Sequence, residues 1–209
     1  MKKLNLLLKV TSFLLFTGMM TSCDSSGGDG GGSSGPQTIL VIGDSISGKV
    51  NYPGVPPWPS LLADMKSEWT VVNKATAGEK MSGGLSKVGG LLAEYSPDSL
   101  VIFYGSNDAI QQDTANYESD LSAAIQAGKA AGCKVVVCTP PYMYEGRAIY
   151  NGGIDVCVAG AKSAAGANGA KIANINGEFG SNSGDLFPDG LHPNLDGQRI
   201  IAVSVREKL

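Results

Sequence analysis

Five short runs rich in valine and isoleucine recur along the chain, and each is followed by a stretch of helical character. The runs lie at 38–42, 70–73, 99–104, 134–138 and 171–175. Each is too short for a buried helix and apolar enough for a strand covered on both faces. Helical spacing of apolar residues marks 58–67, 84–95, 117–131, 154–167 and 195–208, with Asn116 in the N-cap position of the third. Alternating units of this kind, joined by right-handed crossovers, predict an α/β sandwich of three layers: a five-stranded parallel sheet with helices on both faces. The segment from residue 37 to 209 has the length of one domain and carries no internal repeat.

Ligands of such sheets bind beyond the carboxyl ends of the strands, so the segments just after the runs matter most for function. Gly43-Asp44-Ser45 comes after the first, Asn73 to Gly78 after the second, and Gly105-Ser106-Asn107-Asp108 after the third. Thr139-Pro140-Pro141 comes after the fourth, and Asp189-Gly190-Leu191-His192 lies between the fifth run and the last helix. All these segments are therefore expected on one edge. His192 is the only histidine of the chain, which excludes a histidine-based metal cluster. A serine hydroxyl is a weak nucleophile until a base takes its proton, and imidazole suits that task. Ser45 and His192 thus form a nucleophile–base pair if the fold brings them together. Gly43 to Lys49 also matches a phosphate loop as far as the lysine. However, Val50 stands where Ser or Thr would hold magnesium, and the proline-rich segment 51–57 cannot be the helix that such a loop requires.

The first 22 residues read as a targeting segment: Lys2 and Lys3, then an apolar stretch too short to span a bilayer, then small residues before Cys23. Met20-Thr21-Ser22-Cys23 resembles the lipobox of bacterial lipoproteins, which implies cleavage before Cys23 and lipidation at that residue. Residues 23–36 are mostly Ser, Gly and Asp and read as a flexible tether. The expectation is a body held at the bacterial cell envelope, outside the cytoplasm, by its lipid anchor. Loss of residues 1–22 removes three lysines and no acids, leaving 13 basic against 19 acidic residues, a net charge of −6. This balance, with no basic cluster, argues against a nucleic-acid partner. Of the remaining cysteines, Cys133 and Cys138 stand at opposite ends of one strand, roughly 16 Å apart, too far to bond. Cys138–Cys157 is the one attractive pairing, and three small buried thiols are the favoured expectation.

Taken in order, Gly43-Asp44-Ser45-Ile46-Ser47, Gly78, Gly105-Ser106-Asn107-Asp108 and Asp189-Gly190-Leu191-His192 resemble the four blocks of the SGNH (GDSL-type) hydrolases. Each block says little alone, but four in order with a lone histidine in the last form a specific signature. The resemblance implies a flavodoxin-like fold and ester hydrolysis through an acyl-serine intermediate, without a cofactor. It implies Ser45 as nucleophile, His192 as general base and then acid, and Asp189 as the residue that holds the imidazole. The oxyanion hole would comprise the backbone N–H groups of Ser45 and Gly78 and the side-chain amide of Asn107. Asp44 reads as a turn-stabilising acid rather than a second catalytic group. Ser47 is a conservative departure from the family's more frequent threonine, while Ala77 replaces a small polar residue before the block-two glycine, at the expense of a supporting hydrogen bond.

Three functions are compatible with these residues. The first is an esterase releasing small acyl groups, acetyl foremost, from an acylated glycan or other small ester. The second is a lipolytic esterase or thioesterase acting on fatty-acyl or lysophospholipid substrates. The third is a glycan-binding surface lipoprotein without catalysis. Short loops rich in Gly, Pro and Asn favour the first, and Tyr142 and Tyr144 offer aromatic faces for sugars, with Arg147 as a donor. Trp58 is expected to pack at a helix start.

Overall fold

The computed structural model describes residues 36–48, 54–181 and 183–209. The targeting segment, Cys23 and most of the tether lie outside them. Strands β1 (Gln37–Gly43), β2 (Trp69–Asn73), β3 (Ser99–Phe103), β4 (Lys134–Cys138) and β5 (Lys171–Ala173) form a parallel sheet in the order β2-β1-β3-β4-β5. This is the flavodoxin-like order, and the chain reverses its direction of winding between β1 and β3. Ser45 and Asn107 come just after these two strands and so flank the switch point.

The two-residue period of a strand sends alternate side chains to opposite faces. In β1, Ile39 and Val41 join a core with Trp58, Leu62, Ile201 and Val205, beneath α1 (Trp58–Met65) and α7 (Leu195–Arg206). Leu40 and Ile42 join the opposite core beneath α2 (Met81–Tyr95), α4 (Tyr117–Ala130) and α5 (Asn151–Asn168). All four β1 residues are inaccessible to solvent. Each contributes roughly 1.5–3 kcal/mol by burial, so the serine turn leaves from a firmly held strand.

Departures from the sequence expectation have local causes. The run 171–175 divides, because the strand stops at Ala173 and Ile175 opens α6 (Ile175–Phe179). Thr139 makes that break: its hydroxyl accepts from Asn176 N–H at 3.0 Å. The helix α2 begins at Met81, three residues early, with Met81 N–H donating to the Asp108 carboxylate at 3.2 Å. Gly83 and Gly84 hide this start in the sequence, although a Cβ at Gly84 would lie 2.5 Å from the Tyr104 ring. A short helix, α3 (Ser106–Ile110), comes after β3, in a segment that helical spacing does not mark. Asn116 does occupy the N-cap position of α4, but its backbone carbonyl rather than its side chain receives the helix donors.

Cys133, Cys138 and Cys157 are free and buried, and the attractive pairing fails on geometry. Cys138 faces the α1/α7 core while Cys157 packs in the core on the other side of the sheet. Burial pushes the Cys157 thiol up to about 12 and that of Cys138 higher still.

Candidate active site

Beyond Gly43 the chain folds into a tight turn in which Ser47 and Gly48 N–H both donate to the Asp44 carbonyl, at 3.1 and 2.9 Å. One carboxylate oxygen of Asp44 accepts Ile46 N–H at 2.9 Å. The turn has no room for side chains at its base, where a Cβ on Gly43 would lie 2.8 Å from the Phe103 carbonyl. Neighbouring elements hold it from three sides. Trp58 Nε1 donates to Ser47 Oγ at 3.1 Å, Asn73 Nδ2 to the Ser47 carbonyl at 2.7 Å, and Gln198 Nε2 to the Ile46 carbonyl at 3.4 Å. Ser45 therefore crowns the turn, half-buried.

His192 arrives from the opposite end of the sequence. Gly190 N–H donates to the Phe187 carbonyl at 2.8 Å, and Asn194 caps α7 by accepting Gly197 N–H at 3.1 Å. Between these points one Asp189 oxygen accepts the N–H groups of Leu191 and His192, at 2.9 and 2.7 Å. The other lies 2.7 Å from His192 Nδ1, and His192 Nε2 lies 2.9 Å from Ser45 Oγ. With the carboxylate fixing the tautomer, Nδ1 carries the proton and Nε2 accepts from the serine. Burial opposes the Asp189 charge. The His192 ring and then the two backbone N–H groups outweigh it and hold the carboxyl down at about 2.

The third segment begins with Lys74 N–H on the Val41 carbonyl and Thr76 N–H on that of Gly43, both at 2.8 Å. These bonds carry the β2 loop alongside the serine turn. Thr76 to Glu79 form a turn closed at 3.2 Å, with Gly78 at its third position in the left-handed region, φ +76°. A Cβ there would meet open space, so the backbone conformation is what calls for glycine. Asn107 on α3 reaches across: its Nδ2 donates to the second Asp44 oxygen at 3.2 Å and to the Glu79 carbonyl at 3.3 Å. The structure thus unites Ser45, His192 and Asp189 in one hydrogen-bonded line. It sets Gly78 and Asn107 in segments bonded to the serine turn.

Several supporting residues escaped the sequence reading. Lys87 Nζ donates to the Lys74 carbonyl, Thr76 Oγ1 and the Glu79 carboxylate, pinning the Gly78 loop to α2. Glu79 also accepts the Tyr104 hydroxyl at 2.7 Å. Gln198, fully buried, accepts Trp58 N–H at 2.8 Å. None of these belongs to a motif; only the fold brings them near the site. Asp44 keeps the expected turn role but also bonds Asn107. Burial, reinforced by the nearby Asp108 charge, pushes Asp44 up to about 7 against the opposing Ile46 and Asn107 bonds.

The aromatic segment behaves differently from expectation. Tyr144 is buried, stacked at 5.0 Å on Phe187 with its hydroxyl on the Gly180 carbonyl, so it offers no face to a sugar. Tyr142 is tied through its hydroxyl to Asp155 at 2.7 Å. Arg147 gives its Nε–H to the Asp189 carbonyl at 3.2 Å. Trp58 is fully buried at the start of α1, as expected.

A serine, a histidine and an aspartate in line at the carboxyl edge of a flavodoxin-like sheet define an α/β protein of the serine-hydrolase type. The model of the GDSL-like lipase/acylhydrolase family matches residues 41–200, and the chain belongs to that family. It is 36% identical over 106 residues to esterase TesA of Pseudomonas aeruginosa, covering 48% of this chain and 53% of that protein. It is 34% identical over 110 residues to an arylesterase of Vibrio mimicus, covering 50% and 55%. The chain thus spans about half the length of these relatives. A solved acetylxylan esterase from Geobacillus stearothermophilus superposes with a TM-score of 0.69 at 19% identity, over 83% of this chain and 94% of that one. That likeness is one of fold.

Proposed function

We propose that the protein is a serine esterase that hydrolyses small acyl esters, acetyl foremost, on a carbohydrate of the cell envelope or its surroundings. The observation that carries this reading is the continuous line from Asp189 through His192 to Ser45, at 2.7 and 2.9 Å. Ser45 Oγ attacks the ester carbonyl while its proton passes to His192 Nε2. The carbonyl oxygen becomes an oxyanion, received by Ser45 N–H, Gly78 N–H and the Asn107 amide. Collapse of the intermediate expels the alcohol, which takes the proton from His192 and leaves acyl-Ser45. Water then repeats the sequence with His192 as base, releasing the acid and the free serine. Asp189 stays ionised throughout, held down by its three bonds, and steadies the imidazolium.

The two relatives are described as esterases, which supports the reaction class. The acetylxylan esterase of like fold supports the glycan only as an analogy. In the same reading, Cys23 carries a lipid and residues 23–36 tether the body to the membrane, within reach of an insoluble polymer.

One observation favours the lipolytic alternative. A cavity of about 360 Å³ between α3 and α5 is lined by Ala109, Ile149 and Val156, and Ile149 and Val156 are exposed. Gln112 and Thr114 also line it and Ser45 and His192 do not, so it suits a longer acyl chain only if that chain extends to it from the serine. Hydrolysis of p-nitrophenyl esters from two to twelve carbons separates the two. A maximum at two carbons supports the acetyl reading, whereas a maximum at eight or more moves the substrate to fatty-acyl esters.

A further inference from the structure

Asp44 and Asp108 are closed to solvent, with 1% and 3% exposure respectively, while Asn107, bonded to Asp44, is half-buried. Two buried carboxylates around one amide are costly, and each has a defined partner. Asp108 accepts Met81 N–H with both oxygens, at 3.2 and 3.3 Å, and so ties α3 to the start of α2. Asp44 divides its oxygens between Ile46 N–H in the serine turn and the Asn107 nitrogen. The residue adjoining the nucleophile thus also grips the side chain that receives the oxyanion.

Resting on the esterase reading, we propose that Asp44 is a positioning residue: its carboxylate fixes which end of the Asn107 amide faces the reacting carbonyl. A carboxylate can only accept, so it selects the nitrogen end of the amide. The Glu79 carbonyl, also acceptor-only, agrees with that choice from the other side. In the reaction the oxyanion takes over the N–H now given to Glu79, the longer contact, and Asp44 keeps the other. A protonated Asp44 becomes a donor and selects the amide oxygen instead, turning the nitrogen away from the site.

Asp44 therefore couples the site to pH. Burial, aided by Asp108, raises it to about 7. Burial raises Asp108 to about 6. Other ionisable groups also face the pair: Tyr104, Tyr117 and Cys157, which burial keeps neutral, and the paired Lys80 and Asp113, which act on Asp108 with opposite signs. His192 and Ser45 stand on the outer side of the same turn. Activity requires an ionised Asp44, so kcat/KM carries an acid limb as Asp44 takes up its proton.

The test compares wild type, Asp44→Asn and Asp108→Asn on a p-nitrophenyl ester across pH, with melting curves showing each variant folded. Asp44→Asn lowers kcat by about ten- to hundredfold, less than outright loss of an oxyanion donor, with KM nearly constant. The part of the acid limb due to Asp44 disappears. Asp108→Asn removes a neighbouring negative charge and shifts that part of the wild-type limb to lower pH. An Asp44→Asn enzyme with wild-type kcat and an unchanged acid limb overturns the proposal. If Asp44→Asn does not fold, an unmoved limb in Asp108→Asn overturns it instead. A phosphonate probe applied to wild type keeps the two levels apart: failure to label Ser45 removes the esterase reading itself. Normal labelling with an unaltered Asp44→Asn profile removes only the role of Asp44.

Discussion

The amide of Asn107 stands between the serine turn and the Gly78 loop, bonded to one through Asp44 and to the other through the Glu79 carbonyl. Its placement is architectural, but the work proposed for it is electrostatic, because donors preset toward a developing oxyanion need no reorganisation when the charge appears. Asn107→Ala is expected to lower kcat by roughly a hundred- to a thousandfold with KM little changed. Steady-state kinetics on a short p-nitrophenyl ester check this, and a loss confined to KM would reassign Asn107 to substrate binding. The residues proposed for this chemistry sit in blocks recognisable in the sequence: Ser45, Gly78, Asn107, Asp189 and His192. Lys87 and Gln198 were not. A lysine in mid-helix and a glutamine in a terminal helix carry no local signal, and their partners lie 8 to 152 residues away.

The segment from Tyr142 to Tyr150 packs as a strap over the loop that bears Asp189 and His192. Tyr144 N–H donates to the Gly190 carbonyl at 2.9 Å, Arg147 reaches the Asp189 carbonyl, and Asn151 bonds both backbone groups of Met143 at 2.8 and 2.9 Å. Gly190 is the point of closest approach: its φ is +75°, and a Cβ there would lie 2.5 Å from the Tyr144 carbonyl oxygen. Gly190→Ala is therefore expected to cost about 1–3 kcal/mol in urea unfolding. It should also depress kcat, because the displaced loop carries both Asp189 and His192. Wild-type stability in this variant would mean that the strap yields freely. Elements were legible where length and apolar period agreed, as in β1, β4 and α4. They were misread where one residue type served two ends. Ile175 extends an apolar run yet begins α6, and the glycines of α2 and α5 lower helix propensity where they allow close packing. A Cβ on Gly153 would lie 2.9 Å from that of Ala109.

At the scale of the molecule, the buried acids link the site to stability with opposite signs. Asp44 and Asp108 have folded values near 7 and 6, above the ordinary carboxylate value of 3.8. Such groups favour the folded state most at low pH, and that contribution is lost as pH rises through the folded values. Asp189 has the reverse sign: its folded value of about 2 gives stability above the ordinary range that is lost as pH falls toward 2. The melting temperature is thus expected to rise on acidification from pH 8 to 5, and to rise less in Asp44→Asn. A melting temperature that falls steadily over this interval would contradict the buried-acid account. Activity is expected to decline across the same interval, so acid unfolding cannot be its cause. The central claim, that Ser45 and His192 form a working nucleophile and base, is met most directly by treating wild type and Ser45→Ala with a serine-directed phosphonate and locating the adduct by mass spectrometry. Wild type is expected to carry one adduct on Ser45 and to lose its esterase activity, while Ser45→Ala remains folded, unlabelled and roughly a thousandfold or more less active. An adduct elsewhere, or a Ser45→Ala protein that hydrolyses esters at the wild-type rate, would contradict the account.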